Sequence, residues 1–205
     1  MEIELDIRQA HKDDKGPLAE LMYSSGSDLY DYLFKTKNHS ALEFIQFEFD
    51  SGIGFCGYKN VTVAVENDVV GGTACFYDGK AYKKLVSGTV KNVFKFYGPI
   101  KSLPIMNKMK HSSSLLKEPR PDELYLSNFG VSPALRGKGV GSLMIESKRA
   151  EAKKNAYRIF SLDVAESNPR AEALYSRLGY EVVANKTFSG KDKKVSNVRK
   201  MELTL

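Results

Sequence analysis

The chain has 205 residues, of which 42% are hydrophobic and 11% aromatic, and its formal net charge is +6. This composition is that of a globular domain, and without a signal-like N-terminus or an apolar run near the ~18 residues that span a bilayer, we expect a cytoplasmic protein without membrane association. Because the lysines are scattered among acidic residues, with no basic arm or aromatic-interleaved RNA motif, the charge disfavours a nucleic-acid partner.

Strands and helices alternate in the first half of the chain. Residues 3–10 (IELDIRQA) alternate polar and apolar side chains as a strand does, and residues 13–25 place apolar side chains at helical spacing. Residues 28–49 predict one or two aromatic-rich helices. Two β-branched runs on either side of Asn67 and Asp68 predict a hairpin, because these two residues suit a tight turn.

The middle of the chain is predicted to be a helical insertion. After residue 80 the periodicity is helical again, with breaks at Gly98-Pro99 and at Pro104. Two prolines then mark a loop in the segment KEPRPDE. We therefore expect one domain over residues 1–205 that carries a helical insertion at about residues 81–120.

The second half of the chain carries the clearest local signals. Residues 123–131 (ELYLSNFGV) predict a strand, residues 140–155 an amphipathic helix and residues 158–164 another strand. A short helix follows, with Asn168 as its N-cap and Pro169 in its first turn. The segments YEVVANKTF and NVRKMELTL predict two closing strands.

The segment VSPALRGKGVGSLM, between the first of these strands and the amphipathic helix, predicts an anion site. A helix N-terminus presents unpaired N–H groups and a partial positive charge of roughly half a unit, and glycines let the backbone approach a phosphate. Here glycines alternate with cations, in the order Arg136, Gly137, Lys138, Gly139 and Gly141. The loop lacks the GK[ST] ending of a nucleoside triphosphatase, and its GxGxG spacing differs from that of a dinucleotide fold. A plain loop that begins a helix remains an alternative.

The wider segment NFGVSPALRGKGVGSLMIESKRAEA resembles the signature of the GNAT superfamily of N-acetyltransferases. The core of that signature is Arg or Gln, two residues, Gly, one residue, then Gly or Ala, and Arg136, Gly139 and Gly141 match it. The segment SNPRAEALYSRLGYE resembles the part of such enzymes that places an Asn and a Tyr near the acyl carrier. The close match covers residues 123–181. It implies a GNAT-like α/β (α+β) fold, with a mixed, mostly antiparallel sheet whose splayed central strands are flanked by helices.

The resemblance implies acetyl-CoA as the co-substrate. In that family the glycine loop holds the pyrophosphate, and the preceding strand hydrogen-bonds the pantetheine arm like an added strand. Asn168 resembles the residue that bonds pantetheine or the adjacent backbone, while an N-cap role is equally compatible. The implied cofactor-binding positions are Phe129, Gly130, Val131, Arg136, Gly137, Lys138, Gly139, Val140, Gly141, Ser142, Asn168, Ala171 and Tyr175.

The resemblance also implies acyl transfer from the thioester to an amine by direct attack, without an acyl-enzyme. Tyr175 matches the position of the hydroxyl that protonates the leaving thiolate, although its helical face also fits core packing. The backbone N–H of Val131 is the candidate oxyanion donor. Glu123 is the candidate general base, since period-two alternation puts it on the same side of its strand as Tyr125, Ser127 and Phe129. A solvated strand-end carboxylate and a water chain are the alternatives.

The amine acceptor is expected to bind segments that vary within such a family, namely residues 23–50 and the insertion at 81–120. The first segment can supply an aromatic pocket with one carboxylate, although core packing explains the same residues: Tyr23, Tyr30, Asp31, Tyr32 and Phe34. The insertion can close over the coenzyme, pair two subunits as a homodimer or recognise the acceptor.

The sequence indicates neither a metal site nor a redox pair. Cys56 and Cys75 lie far apart and lack CxxC or histidine partner spacing, so we expect two buried thiols.

The sequence indicates the general base only weakly, and it is therefore also compatible with a second function. This alternative is a catalytically inactive acyl-CoA-binding module that acts as a sensor or regulator.

Overall fold

A computed structural model describes residues 5–205, in which one sheet of seven strands forms the centre of the molecule. The strands are β1 (Asp6–Gln9), β2 (Thr62–Glu66), β3 (Val69–Tyr77), β4 (Glu123–Val131), β5 (Ile159–Ala165), β6 (Glu181–Lys186) and β7 (Val198–Thr204). Their order in the sheet is β1-β2-β3-β4-β5-β7-β6. All neighbouring strands are antiparallel except β4 and β5, which are parallel. This confirms the predicted mixed, mostly antiparallel sheet.

Helices cover both faces of the sheet. Within residues 5–205 the α-helices are α1 (Lys15–Ser24), α2 (Ser27–Phe34), α3 (Ala41–Ser51), α4 (Gly79–Tyr97), α5 (Pro99–Ser112), α6 (Val140–Lys154) and α7 (Pro169–Arg177). On one face, Met144 of α6 and Tyr175 of α7 join a buried cluster with Phe160 of β5. On the other face, α1 and α3 pack against Val63 and Val70. None of these helices combines the length and the apolar character that crossing a membrane requires.

The predicted turn between β2 and β3 is confirmed. Asn67 and Asp68 have φ angles of 48° and 62°, which are the positive values that a tight hairpin turn needs at both central positions. The strand predicted over residues 3–10 is present as β1. Residues 3 and 4 of that prediction lie outside the described residues.

Helices α4 and α5 occupy the chain between β3 and β4. They meet at Gly98, whose φ of 78° ends one helix while Pro99 begins the next, so the predicted break at this point is confirmed. The predicted break at Pro104 is wrong, because Pro104 lies inside α5. Its ring removes a hydrogen bond to the Ile100 carbonyl, but both residues are on the exposed side of the helix, where water can take that carbonyl.

Strand β4 carries one extra residue opposite β3. Thr73 pairs with Gly130 and Cys75 pairs with Ser127, so two residues of β4 face one residue of β3 in a β-bulge. Asn128, in this bulge, has a φ of 51°, a left-handed conformation that asparagine adopts more readily than most residues. The extra residue reverses the alternation of side chains along the rest of the strand.

This reversal corrects the prediction that Phe129 lies on the same side of β4 as Glu123 and Tyr125. The ring of Tyr125 packs beside Tyr77, with 5.1 Å between the ring centroids, on the α4 side of the sheet. The ring of Phe129 instead lies 6.3 Å from that of Tyr175, on the α7 side. Period-two counting fails here because it assumes an unbroken strand.

Strands β4 and β5 are paired over only part of their length. The pairing runs from Glu123 with Ile159 to Leu126 with Leu162, and beyond it β4 continues beside β3 and β5 continues beside β7. The two strands therefore separate into a fork, which confirms the predicted splayed central strands. Inside the fork, main-chain groups of both strands face a gap with no neighbouring strand to bond.

Candidate active site

A cavity of about 530 Å³ fills the fork between β4 and β5. Its deep end is the vertex of the fork at Leu126 and Leu162, its other end is the glycine loop before α6, and α7 forms one wall. Lys138 does not line this cavity. The other predicted cofactor-binding residues all do: Phe129, Gly130, Val131, Arg136, Gly137, Gly139, Val140, Gly141, Ser142, Asn168, Ala171 and Tyr175. The fold thus brings two separately predicted segments together around one space.

Glycine is required in the loop for two different physical reasons. Gly137 and Gly139 have φ angles of 80° and 85°, and a Cβ at either position would meet no atom within 4 Å, so the backbone conformation requires glycine there. At Gly141 the reason is a close approach, because a Cβ would lie 3.2 Å from Cζ of Phe129. Small residues therefore keep the loop open towards the cavity.

The loop presents a row of main-chain N–H groups that no carbonyl of the described residues accepts. These N–H groups belong to Gly137, Gly139, Val140, Gly141 and Ser142. The N–H groups of Arg136 and Lys138 are instead directed to the carbonyls of Pro133 and Leu135, each at 3.4 Å. An anion with several oxygen atoms would satisfy the free amides, so the loop has the donors that a pyrophosphate needs.

Three cationic side chains line the cavity. The side chain of Arg136 turns back so that its Nε donates to the Val131 carbonyl at 3.0 Å, which holds the guanidinium beside the loop. Arg170 and Arg177 of α7 also line the cavity. The helix N-terminus and these three cations together favour an anionic ligand.

Asn168 acts as the N-cap of α7, as predicted. Its side-chain oxygen accepts a hydrogen bond of 3.1 Å from the Ala171 N–H, and Pro169 follows in the first turn. Asn168 also lines the cavity, so a ligand there can contact this residue. The cap role and a ligand contact are therefore compatible.

Tyr175 lies in the wall of the cavity and is 7% exposed. Its ring is 5.9 Å from the ring of Tyr180, and within residues 5–205 its hydroxyl makes no hydrogen bond to another side chain or to the backbone. Burial raises the pKa of Tyr175 far above its usual range, so the hydroxyl stays protonated at neutral pH. The side chain is therefore a proton donor without a protein acceptor.

Asn128 is a cavity residue that the sequence reasoning missed. Its side-chain oxygen accepts a hydrogen bond of 2.7 Å from the Tyr30 hydroxyl, and its side-chain nitrogen donates to the Phe55 carbonyl at 3.1 Å. These bonds tie the bulge of β4 to α2 and to the loop after α3. An asparagine among the apolar residues of a strand, two positions before Gly130, was the available signal.

The acetyltransferase (GNAT) family model matches residues 22–180, which is most of the chain. The chain belongs to the GNAT acetyltransferase family. It is an acyltransferase whose co-substrate is acetyl-CoA, and the match confirms the resemblance carried by residues 123–181. The free amides and positive charge of the glycine loop fit an anionic coenzyme of this kind.

Solved structures share the fold of this GNAT acetyltransferase. An acetyltransferase of known crystal structure is 22% identical, with a TM-score of 0.69 over 97% of this chain and 98% of its own. An N-acetyltransferase from Staphylococcus aureus Mu50 is 20% identical, with a TM-score of 0.71 over 97% and 100%. The protein yncA from Salmonella typhimurium, solved with its cofactor acetyl-CoA, is 18% identical, with a TM-score of 0.55 over 98% and 94%. Identities this low establish the fold alone, and no protein of curated function matches the sequence.

The structure does not support Glu123 as the general base of this GNAT acetyltransferase. Its side chain is fully buried and outside the cavity, at the far end of the paired part of β4. Lys200 Nζ lies 2.8 Å from one carboxylate oxygen and Arg120 Nε lies 3.1 Å from the other, and the Ser161 hydroxyl donates to the first. A carboxylate enclosed in this way stabilises the fold and cannot reach an amine in the fork.

Glu123 is expected to make stability depend on pH. Burial alone would raise the pKa of Glu123, but hydrogen bonds from Lys200, Ser161 and the Arg120 amide outweigh it and hold the pKa below its usual range. A carboxyl whose pKa is lower in the folded state adds stability above its unfolded pKa of about 4.3, and this stability is lost as the pH falls through the folded pKa. Glu123→Gln should therefore flatten the loss of unfolding free energy below about pH 4.

Urea unfolding at pH 7 and pH 3.5 measures this effect. At pH 7 we expect Glu123→Gln to lower the free energy of unfolding by about 2 kcal/mol, less than the usual cost for a fully buried pair because Arg120 is half exposed. The control is Glu118→Gln, which breaks an exposed ion pair with Lys83 and should change little at either pH. Equal losses for both variants at both pH values would contradict the assignment.

The residues predicted to form an aromatic acceptor pocket lie outside the fork cavity, and contacts with other parts of the fold hold Tyr30 and Phe34. The Tyr30 hydroxyl binds Asn128, and the ring of Phe34 stacks on Phe44 with 4.2 Å between the ring centroids. None of these predicted residues lines the fork cavity in the described part of the chain: Tyr23, Tyr30, Asp31, Tyr32 and Phe34. From the same segment, Ser24 and Ser25 at the end of α1 line the cavity instead.

Proposed function

We propose that this GNAT acetyltransferase transfers the acetyl group of acetyl-CoA to the primary amine of an acceptor by direct attack on the thioester. The observation that carries the proposal is the fork cavity, which joins free main-chain amides at one end to the unpaired hydroxyl of Tyr175 in its wall. The amides suit an anionic coenzyme, and the hydroxyl suits a departing thiolate.

In this proposal the glycine loop holds the pyrophosphate, with the N–H groups of Gly137 and of Gly139 to Ser142 as donors. Hydrogen bonds to a charged oxygen contribute roughly 1.5–3 kcal/mol each, so several of them account for micromolar affinity. The pantetheine arm lies in the fork, where Phe129 and Val131 supply main-chain hydrogen bonds as an added strand would, and Asn168 contacts it from α7.

The chemistry requires removal of one proton from the amine and delivery of one to the sulfur. An amine with a pKa near that of lysine, about 10.4, is neutral in roughly one molecule in 2,500 at pH 7. Water in the cavity takes the amine proton in this proposal. Val131 lies at the loop end of β4, about 16 Å along the strand from the vertex, so its N–H is assigned to the coenzyme arm and not to the oxyanion. Tyr175 donates a proton to the leaving sulfur.

The proposal treats residues 1–205 as one catalytic domain with α4 and α5 as an insertion. This is supported by the sheet, in which β1 and β7 belong to the same set of paired strands. We place the reaction in the cytoplasm, where the buried free thiols of Cys56 and Cys75 stay reduced.

Acetyl-CoA should raise the melting temperature of the protein. At a concentration about 100 times its Kd, a ligand that binds only the folded state adds about 2.7 kcal/mol, which corresponds to roughly 5–10 °C for a chain of this size. A panel of primary amines should then include acceptors that release free CoA thiol in a coupled assay. Folded protein with no thermal shift at millimolar acetyl-CoA would refute the proposal. A shift without thiol release for any amine would support the inactive sensor instead.

A further inference from the structure

Two buried oxygen atoms at the vertex of the fork make no hydrogen bond of normal length and angle with the described residues. They are Oγ of Ser127, which lies near the Cys75 thiol and the Tyr77 hydroxyl, and Oδ1 of Asp163. Ser127 is the first residue of β4 beyond the paired stretch, and Asp163 is the first residue of β5 beyond it. Since more than about 90% of buried polar groups in proteins are hydrogen-bonded, the free carboxylate oxygen of Asp163 requires an explanation.

The other oxygen of Asp163 is held firmly. Oδ2 of Asp163 accepts a hydrogen bond of 2.6 Å from the Tyr125 hydroxyl and lies 2.6 Å from Nζ of Lys186. Lys186 Nζ also donates to the Leu115 carbonyl at 2.9 Å, so the lysine is fixed on both sides. Burial, and next the nearby Asp163 charge, raise the pKa of Tyr125, which therefore remains a donor. The carboxylate is thus oriented by one oxygen while the other stays free.

The free oxygen lies where the reacting end of the coenzyme is expected. Asp163 and Ser127 both line the fork cavity, and the Asp163 side chain is only 5% exposed. The glycine loop follows the far end of β4, roughly 16 Å along the strand from the vertex. If the loop holds the pyrophosphate, the arm of the coenzyme reaches towards the vertex and brings the thioester near these two oxygens.

The chemistry of the two oxygens selects one kind of ligand group. A buried carboxylate oxygen can only accept hydrogen bonds, so it is satisfied by N–H or O–H donors and is destabilised by a second anion or a carbonyl. A primary amine brings two or three N–H donors and, when protonated, a positive charge. An amine is therefore the group that best satisfies Asp163 and Ser127 together.

We infer that Asp163 Oδ1 and Ser127 Oγ form the subsite that receives the amino group of the acceptor. This inference rests on the proposed acetyl transfer and deepens it, because it names the atoms that select an amine. Asp163 orients the nitrogen beside the thioester, Ser127 adds a second contact from the opposite strand, and Lys186 and Tyr125 position the carboxylate. The amine proton still leaves to water.

Two stable thioethers of CoA test the subsite without knowledge of the acceptor. S-(2-aminoethyl)-CoA carries an ammonium group near the position of the attacking nitrogen, and S-propyl-CoA has the same shape without charge or N–H groups. Calorimetric titration of the wild type should show roughly ten- to a hundredfold tighter binding of the amino compound, as expected for hydrogen bonds to a charged group. Asp163→Asn should abolish this preference while leaving acetyl-CoA affinity unchanged.

The matched control is Glu202→Gln, which also removes a carboxylate paired with a lysine, Lys200 at 3.0 Å, but lies outside the cavity. It should keep the preference for the amino compound. If Asp163→Asn does not fold, Ser127→Ala provides the second variant and should reduce the preference severalfold.

Equal affinity of the wild type for both thioethers would overturn the subsite, as would a preference that survives Asp163→Asn. Either result would show that the Asp163 and Lys186 pair is only structural. Failure of the wild type to bind acetyl-CoA at all would instead refute the proposed function, so the two failures are distinguishable.

Discussion

Replacing Tyr175 with phenylalanine is expected to lower kcat about a hundredfold and to leave acetyl-CoA affinity within about twofold. This value is at the lower end of the range for general acid catalysis, because a thiol with a pKa of about 8.5 is a good leaving group. The affinity should survive because the ring keeps its contacts with Phe129 and Tyr180. Initial rates of CoA thiol release and calorimetric titration with acetyl-CoA measure the two effects separately.

Tyr180→Phe is the matched control for this experiment. Tyr180 is a neighbouring buried tyrosine whose hydroxyl also lacks a hydrogen-bond partner in the described residues, but it does not line the cavity. Removal of the Tyr180 hydroxyl should leave kcat near the wild-type value and should not destabilise the fold. A similar fall in kcat for both variants would show that Tyr175 acts through packing. An unchanged kcat in Tyr175→Phe would remove it from the reaction.

Replacing Gly139 with aspartate is expected to weaken acetyl-CoA binding at least roughly a hundredfold. The residue would have to adopt a φ of 85°, which costs about 1–2 kcal/mol, and any relaxation of the loop would redirect the free N–H groups of residues 139–142. The added carboxylate would also repel the pyrophosphate in the positive end of the cavity. Calorimetric titration gives the affinity, and a thermal melt shows whether the variant folds.

Gly98→Asp carries the same chemical change at a site far from the cavity. Gly98 also has a positive φ, 78°, with open space where a Cβ would be placed, so this variant should lose at least as much stability. It should retain the acetyl-CoA affinity of the wild type. If Gly139→Asp bound acetyl-CoA as tightly as Gly98→Asp does, the glycine loop would not be the phosphate site.

The elements predicted most accurately from the sequence are those whose conformation depends on residues adjacent in the chain. Asn and Asp adopt positive φ angles more readily than most residues, so the hairpin turn follows from Asn67 and Asp68. Asn168 and Pro169 likewise mark the start of α7 through a cap bond three residues away and a fixed φ. The glycine loop belongs to the same group, because its conformation depends on glycines that the sequence shows directly.

The errors have a common physical cause, which is that the deciding interactions come from distant segments. The bulge at Asn128 exists because its side chain finds Tyr30 and Phe55, and no count along β4 reveals that. Glu123 resembled an exposed strand-end carboxylate until β7 brought Lys200 against it. Asp163 is one of two polar residues in β5, and its free oxygen becomes evident only when the neighbouring strands and Lys186 are placed around it.

The short pairing of β4 with β5 also affects how long the protein survives. Within residues 5–205, the strand pairing between the β1–β4 half of the sheet and the β5–β7 half is limited to four residue pairs, Glu123 to Leu126 with Ile159 to Leu162. A ligand bound in the fork contacts both halves of the sheet. Bound coenzyme should therefore stabilise the folded protein as well as take part in the reaction. The resistance of the enzyme to proteases is then expected to increase with the acetyl-CoA concentration. This would link the degradation rate of the protein to the metabolic state of the cell.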